Sequence, residues 1–232
     1  MITVRKSEDR RHVRSRAHDT WMTFDPSRSV DPFRHGFHAL EALNEELLAP
    51  EMALFPHPRE AVEIVTYVQE GRLIRQEASG QLGHLEAGEF QRASAPREGR
   101  RPETSGGSIA TARVFQSCIS AEAVDSGPIP DRKRFTRADR EGVLRLVASP
   151  DGRESSLRLR PDVRLYSAVL LTGQHLIHEL SGGRAAWLQV IDGTVGLRDH
   201  ELRTGDGAAL EAEAAVALTA RGASEVLLFD LA

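Results

Sequence analysis

The stretch YVQEGRLIRQEASGQLGHLEAGEF, residues 67–90, decides the fold, because a second stretch follows the same order later in the chain. It reads as a strand, a turn ending in glycine, a second strand, another turn and the triplet Ala-Gly-Glu. Residues 187–210, WLQVIDGTVGLRDHELRTGDGAAL, repeat that order with Ile-Asp-Gly and Thr-Gly-Asp at the turns. The spacing from Gly71 to Gly88 exceeds that from Gly193 to Gly205, so the second hairpin is shorter. Two copies of one β unit predict a duplicated barrel rather than one large sandwich.

The rest of the chain also favours strands. Short runs rich in Val, Ile and Leu, mostly bounded by Gly, Asp, Pro or Ser, are typical of antiparallel strands joined by tight turns. These runs span residues 62–68, 72–76, 112–119, 142–149, 156–160, 185–191 and 224–231. The segment HALEALNEELL, residues 38–48, has an apolar spacing that allows either a helix or a strand. The sequence therefore predicts an all-β protein with little helix.

Composition and charge exclude several classes of function. The chain has 232 residues, of which 40% are hydrophobic, and its length allows two small domains, each with its own core. A net charge of -4 and a pI of about 6.2 predict no general attraction to nucleic acid or to an anionic membrane. The single cysteine, Cys118, rules out an internal disulfide and is predicted to be a buried core thiol. No apolar run has the length of a signal peptide or of a membrane span, so we predict a cytoplasmic protein.

Seven segments spread over nearly the whole chain carry a resemblance to a known family. They are WMTFDP (21–26), GFHALEALNEELLAP (36–50), HPREAVEIVTYVQEG (57–71), AGEFQRASA (87–95), RRPE (100–103), LRLVASPDGRESSLRLRPDVRLYSAVL (144–170) and SEVLLFDL (224–231). Together they resemble the pirin family, whose members are two-domain proteins of the cupin superfamily. The resemblance implies two cupin barrels (double-stranded β-helix, or jelly-roll) packed face to face. We expect the N-terminal domain to cover residues 1–125 and the C-terminal domain residues 126–232, with an inter-domain strap at its start that Ile129 and Phe135 could anchor.

The resemblance also implies one metal site in the N-terminal barrel, held by three histidines and one glutamate. Two of these four positions are kept here, as His57 and Glu103. Arginine stands at the other two, as Arg59 and Arg101. Upstream, Met22 occupies a position that is commonly histidine in the family. The site has lost half of its ligands, and both losses are to the same residue type.

The chemistry of arginine opposes a metal ion at this site. A divalent transition metal needs several imidazole or carboxylate donors, whereas a guanidinium offers no lone pair and effectively never deprotonates in proteins. We therefore predict that His57 and Glu103 hold no metal. Alternation along a strand places His57, Arg59 and Glu63 on one face, and the family's geometry points that face into the barrel.

Three arrangements of the pocket formed by Arg59, Glu63 and Arg101 stay open. The arginines could form buried ion pairs with Glu63 and Glu103. They could instead face open space and bind a small anion, because their forked donors match carboxylate and phosphate. A displaced metal site could combine His57 with another histidine.

The other histidines give weaker indications. His175 and His178 are three residues apart, which puts them on opposite faces of a strand and makes a shared metal improbable. Four more stand in arginine-rich or loop segments and are predicted to be solvated, namely His12, His18, His35 and His38, although His35 or His38 could border the mouth of the cavity.

Three functions follow from this reading. The first is a metal-free binding or regulatory protein whose partner is a small anion or another protein, with no nucleic acid and no membrane. The second, which the resemblance implies, is a quercetin 2,3-dioxygenase with one divalent iron, nickel, copper, manganese or zinc ion, in which Glu103 would take the proton of a flavonol hydroxyl. The third is a metal-free cupin enzyme in which Arg59 and Arg101 clamp an anionic substrate.

Overall fold

The computed structural model describes residues 1–15, 18–50, 62–76, 82–95, 111–121 and 131–232, and they form two compact units. The N-terminal unit takes its described residues from Arg11–Gly36 and Leu40–Arg134. The C-terminal unit consists of Met1–Arg10, Phe37–Ala39 and Phe135–Ala232. This division differs from the expected boundary after residue 125 in two ways. The boundary falls at Phe135, and the start of the chain belongs to the C-terminal unit because its first strand pairs there.

Most of the described residues lie in strands, as the sequence predicts. The first ten strands are β1 (Ile2–Arg5), β2 (Arg11–Arg14), β3 (His18–Met22), β4 (Leu40–Leu48), β5 (Val62–Glu70), β6 (Arg72–Gln76), β7 (Leu82–Glu86), β8 (Glu89–Ala95), β9 (Ala112–Ser120) and β10 (Asp131–Arg134). The next ten are β11 (Arg145–Ser149), β12 (Leu157–Arg158), β13 (Val163–Leu170), β14 (His175–Glu179), β15 (Ala185–Asp192), β16 (Thr194–Leu197), β17 (His200–Arg203), β18 (Gly207–Leu210), β19 (Ala215–Ala220) and β20 (Ser224–Leu231). Short 3₁₀ turns cover Ser7–Asp9 and Arg153–Ser155, and α1 (Arg137–Arg140) is a single helical turn.

The N-terminal unit is built on a seven-stranded antiparallel sheet in the order β10-β8-β5-β9-β4-β3-β2. The hairpin β6–β7 forms a separate two-stranded sheet. Leu73 and Leu85 of that hairpin pack with residues of β4, β5 and β9 in one buried cluster. We call the face of the large sheet that carries this cluster the inner face. Its other cluster members are Leu48, Val68, Ala112 and Val114.

The C-terminal unit pairs a seven-stranded sheet, ordered β1-β18-β15-β20-β13-β11-β12, with a four-stranded sheet, ordered β14-β19-β16-β17. Residues of both sheets enclose one large apolar cluster that includes Leu188, Leu202, Leu218 and Leu228. β1 completes this unit by pairing antiparallel with β18, from Ile2 opposite Leu210 to Arg5 opposite Gly207.

The duplicated hairpin predicted from the sequence is present in both units. β5, β6, β7 and β8 follow the same order as β15, β16, β17 and β18. Gly71 and Gly193 end the first strand of each copy with φ of 79° and 82°. A Cβ atom at either glycine would lie 2.3 Å from the carbonyl oxygen of Thr111 or 2.1 Å from that of Ala223. Only glycine satisfies both the positive φ and this close approach.

Several local predictions are decided by the structure. The ambiguous segment at 38–48 forms strand β4, and the run at 156–160 shrinks to the two residues of β12. Cys118 is a buried thiol outside any disulfide, as predicted, and Phe135 is buried. Ile129 lies outside the described residues. Within the described ranges, no helix combines the length and the apolar character that a membrane span requires.

Candidate functional site

A row of polar side chains crosses the inner face of the N-terminal sheet. Strand pairing sets Asn44 opposite Gln116, Gln116 opposite Thr66, and Thr66 opposite Gln91. Gln116 donates from Nε2 to Thr66 Oγ1 over 3.2 Å, and the side chains of Thr66, Gln91 and Gln116 are buried. Met22 lies beside Asn44 and extends the row onto β3. We call Asn44, Gln116, Thr66 and Gln91 the polar row.

The corresponding row in the C-terminal unit is almost entirely apolar. Thr66 and Leu188 stand at the same distance before Gly71 and Gly193, and Gln91 and Ala208 at the same distance after Gly88 and Gly205. Pairing across the C-terminal sheet sets Tyr166 opposite Leu228, Leu228 opposite Leu188, and Leu188 opposite Ala208. All four belong to the large apolar cluster. Of the two barrels, the N-terminal one therefore has the interior suited to a polar ligand.

His18 and Glu46 form a buried pair beside the polar row. His18 Nε2 lies 2.9 Å from Glu46 Oε2 and 3.0 Å from Thr20 Oγ1. Thr20 and Glu46 face each other across β3 and β4, and Glu46 also faces Val114 of the inner face. The side chains of His18 and Glu46 are 2% and 0% exposed. Our prediction that His18 is solvated is therefore wrong, whereas His12, His35 and His38 are exposed as predicted.

Glu63 is the one residue of the predicted pocket that lies within the described ranges. Its carboxylate is fully buried, and Oε1 accepts a hydrogen bond from Arg92 Nη1 at 3.1 Å. Val62 and Ile64, its neighbours on β5, pack with Ala42 on the inner face, so alternation puts Glu63 on the opposite face. The prediction that Glu63 points into the barrel is wrong. The sequence analysis did not identify Arg92 on β8 as the partner of Glu63. The repeated strand order could have indicated it, because β8 pairs antiparallel with β5.

The other predicted site residues, His57, Arg59, Arg101 and Glu103, lie outside the described residues. Their chemistry can still be tested against a metal ion, because two of the four side chains at the family's ligand positions are guanidinium groups. This donor set does not fit the three-histidine, one-glutamate centre that the resemblance implies. In the parts of the chain that the structure covers, no cluster of three or more His, Cys, Asp or Glu side chains could hold a metal.

A second polar cluster surrounds Asp230 in the C-terminal unit. Its buried carboxylate accepts hydrogen bonds from His178 Nε2 at 2.9 Å and from Arg184 Nε, and Arg164 Nη1 lies 3.4 Å away. Burial alone would raise the pKa of Asp230, but the hydrogen bonds and charges of His178 and Arg184 outweigh it and lower that pKa. Burial and the charge of Asp230 raise the pKa of the neighbouring Tyr166. The donors of His178, Arg164 and Arg184 converge on this one carboxylate, so contacts among protein groups hold the cluster together.

The two histidines of β14 lie on opposite faces, as predicted. His178 is partly buried against Asp230, whereas His175 is exposed and contacts Thr219. A shared metal between them is excluded by this geometry.

Comparisons with known proteins agree with the fold. The family model Pirin matches residues 5–118, and the model described as the quercetinase C-terminal cupin domain matches residues 146–231. A protein of Escherichia coli K12 named quercetin 2,3-dioxygenase is 35% identical, with 100% of this chain and 99% of the relative covered. A pirin-like protein of Caulobacter vibrioides is 31% identical, with 87% of each chain covered. The crystal structure of the Escherichia coli pirin YhhW in complex with nickel(II) superposes with a TM-score of 0.84 at 33% identity, covering 100% of this chain and 99% of that one.

Proposed function

Since this chain belongs to the pirin family, whose two domains are cupin barrels, we propose that it binds a small hydroxylated or acidic ligand in its N-terminal barrel without a metal ion. The role is one of binding or regulation, and the location is the cytoplasm, where the lone thiol of Cys118 stays reduced. The observation that carries the proposal is the polar row, because its counterpart in the duplicated C-terminal barrel is filled by apolar side chains. Side-chain amides and hydroxyls can both donate and accept hydrogen bonds, so this face can recognise a polar ligand that an apolar interior would exclude.

The arginines at two ligand positions support the metal-free part of the proposal. Arg59 and Arg101 remove two lone-pair donors and add two positive charges, so both the coordination and the electrostatics disfavour a cation. The same guanidinium groups favour an anionic oxygen such as a carboxylate or a phenolate.

A second candidate is supported by the comparisons. The Escherichia coli relative named quercetin 2,3-dioxygenase is 35% identical over the full length of this chain. If this chain shares that activity, quercetin should be turned over. The donor set described above offers no centre through which we can derive such a reaction.

One experiment separates the two candidates. Protein purified without a histidine tag is analysed for iron, nickel, copper, manganese and zinc, and the same sample is tested for quercetin binding and turnover. We expect far less than one equivalent of metal, saturable binding and no turnover, even after iron or nickel is added. Near-stoichiometric metal that His57→Ala removes, together with turnover that Glu103→Gln abolishes, would establish the dioxygenase instead.

A constructive variant provides the matched control. Arg59→His with Arg101→His restores three imidazoles and one carboxylate at the family's positions. We expect this double variant to gain nickel affinity over the parent protein, measured by calorimetry. If neither protein binds nickel, the loss of metal binding does not come from the two arginines.

A further inference from the structure

The carboxylate of Glu46 is incompletely satisfied in the interior of the N-terminal unit. Oε2 bonds to His18, but Oε1 is buried and has no hydrogen-bond partner among the described residues. The side chain is 0% exposed, so water at the protein surface does not reach it. A buried acceptor without a donor carries a large desolvation cost, and the cost is greater when the group is ionised. An additional donor at Oε1 would offset that cost.

The duplicated fold shows that the barrel does not need a carboxylate at this place. Glu46 pairs with Val114, two residues along each strand from the polar row. In the C-terminal unit, Ala168 stands at the matching place, two residues from Tyr166 and opposite Val226, and it belongs to the apolar cluster. The same architecture is thus completed with alanine in one unit and with a buried acid in the other.

His18 and Glu46 are different residues from those at the family's ligand positions, and they lie at a defined end of the sheet. His18 faces Leu48, which lies at the end of the sheet where β4 finishes and β9 begins with Ala112. Residues 57 and 59 precede β5, whose first residue, Val62, pairs at the other end of the sheet with Ala95 and Ser120. The pair is therefore separated by most of the length of the sheet from Val62.

The groups around Glu46 Oε1 favour one kind of ligand. A carboxylate repels an anion, and the described groups supply only His18 and Glu46 as metal donors. A neutral hydroxyl, by contrast, donates one hydrogen bond to Oε1 and adds no charge. The polar row offers further donors and acceptors next to it, while Val68, Val114 and Leu85 provide apolar contact. These features fit a hydroxylated and otherwise apolar molecule.

We propose that Glu46, held in place by His18 and Thr20, anchors the ligand of the N-terminal barrel by accepting a hydrogen bond from one of its hydroxyl groups at Oε1. This inference rests on the proposed function and assigns to it a residue outside the family's metal-ligand positions. Glu46 is an anchoring group here, because its contact is with the bound molecule and no bond of that molecule changes.

The test uses quercetin as the probe, with a series of analogues that each lack one hydroxyl. Affinities are measured by calorimetry for the parent protein and for the double variant His18→Leu with Glu46→Met. Replacing a buried hydrogen-bonded pair by apolar side chains of similar size is often neutral or stabilising, so the double variant should keep its fold and its melting temperature. It should nevertheless bind quercetin about 10- to 100-fold more weakly, as expected when a hydrogen bond to a charged group is lost.

A matched control lies one residue away. Glu45 is on the opposite face of β4, where its carboxylate is bonded to Arg113 at 2.7 Å. Glu45→Gln should leave quercetin affinity unchanged. In the analogue series, one hydroxyl deletion should weaken binding to the parent protein and have no effect on binding to the double variant.

Each outcome decides the matter. If the parent protein binds quercetin and the double variant binds it equally well, the anchor is wrong while the proposed function stands. If the parent protein binds no member of the series, the proposed function fails and the anchor fails with it. If the parent protein and Glu45→Gln contain metal but the double variant does not, the pair is a metal site and the proposed anchoring role of Glu46 is wrong.

Discussion

Arg92 holds the carboxylate of Glu63 in a part of the N-terminal unit that is almost closed to solvent. The two side chains are 15% and 0% exposed, and their facing atoms are 3.1 Å apart. A buried ion pair contributes little net stability compared with apolar side chains of the same size, but removal of one partner leaves an uncompensated charge. Substitution of one partner alone should therefore cost more stability than the intact pair contributes.

We expect Arg92→Met to destabilise the protein by about 3 kcal/mol, since Glu63 would stay buried without this partner. The exposed pair Arg72–Glu86, with side chains 45% and 34% exposed, is the matched control. Arg72→Met should cost less than about 1 kcal/mol. Urea unfolding of both variants measures the difference. Equal losses would show that the Glu63 carboxylate does not depend on Arg92.

Sequence reasoning found the burial of Cys118 but missed the burial of His18, and the reason is the range of the interactions. Cys118 sits in an apolar run, so its immediate neighbours indicate its environment. His18 follows a highly charged opening segment, and its partner Glu46 is 28 residues away on another strand. Only the pairing of β3 with β4 brings the two together. Burial that is set by such a long-range pairing has no local signature.

At the scale of elements, strands were predictable where the apolar run itself forms the core. The prediction at 224–231 matches β20 residue for residue, and that at 62–68 falls within β5. The run at 156–160 failed because only Leu157 and Arg158 pair, in parallel with β11, before Pro161. Segment 38–48 forms a strand because both of its edges pair, with β3 and with β9.

The turn after β15 predicts different stability costs for two glycine substitutions. Gly193 and Gly183 have nearly the same φ, 82° and 85°, but only Gly193 lies against other backbone atoms. Gly183→Ala should cost about 1 kcal/mol, the penalty of a left-handed conformation. Gly193→Ala should cost about 3 kcal/mol, because its Cβ would also clash with Ala223 and Ser224.

Thermal and urea unfolding of the two variants would measure both costs. If Gly193→Ala proved as mild as Gly183→Ala, the turn would have to relax easily, and the close approach would not constrain the duplicated hairpin.

At the scale of the whole molecule, the two units share one strand order but differ in the side chains that fill their interiors. The N-terminal unit keeps polar side chains across its inner face, whereas the C-terminal unit has an apolar interior and gathers its charges around Asp230. The duplication and the all-β class were predictable, because strand periodicity and turn glycines are local features. The polar row was not predicted, since its four members come from four separate strands and are aligned only by register.

Acid should lower the free energy of unfolding, because it protonates Asp230. Its pKa in the folded state lies below the ordinary value of 3.8, so the unfolded chain binds more protons in that range. The contribution of Asp230 to stability is therefore complete above that value and is lost as the pH falls through the lower folded pKa.

The variant Asp230→Asn tests this contribution. At pH 7 it should be less stable by roughly 3 kcal/mol, because Arg164, Arg184 and His178 lose their shared carboxylate. The difference from the parent protein should shrink as the pH is lowered below about 4. Asp162→Asn, which removes an exposed partner of Arg184, is the control and should show no comparable acid dependence. A difference that stays constant with pH would rule out Asp230 as the source.

The pairing of β1 with β18 has a consequence for how the chain is made. Ile2–Arg5 leaves the ribosome long before its partner Gly207–Leu210, because the whole N-terminal unit lies between them in the sequence. During that part of synthesis this short strand has no β18 to pair with, while the strands of the N-terminal unit are made. The edge of the C-terminal sheet is thus covered by residues synthesised long before the rest of that sheet, and a fragment starting at Phe135 would expose the edge of β18.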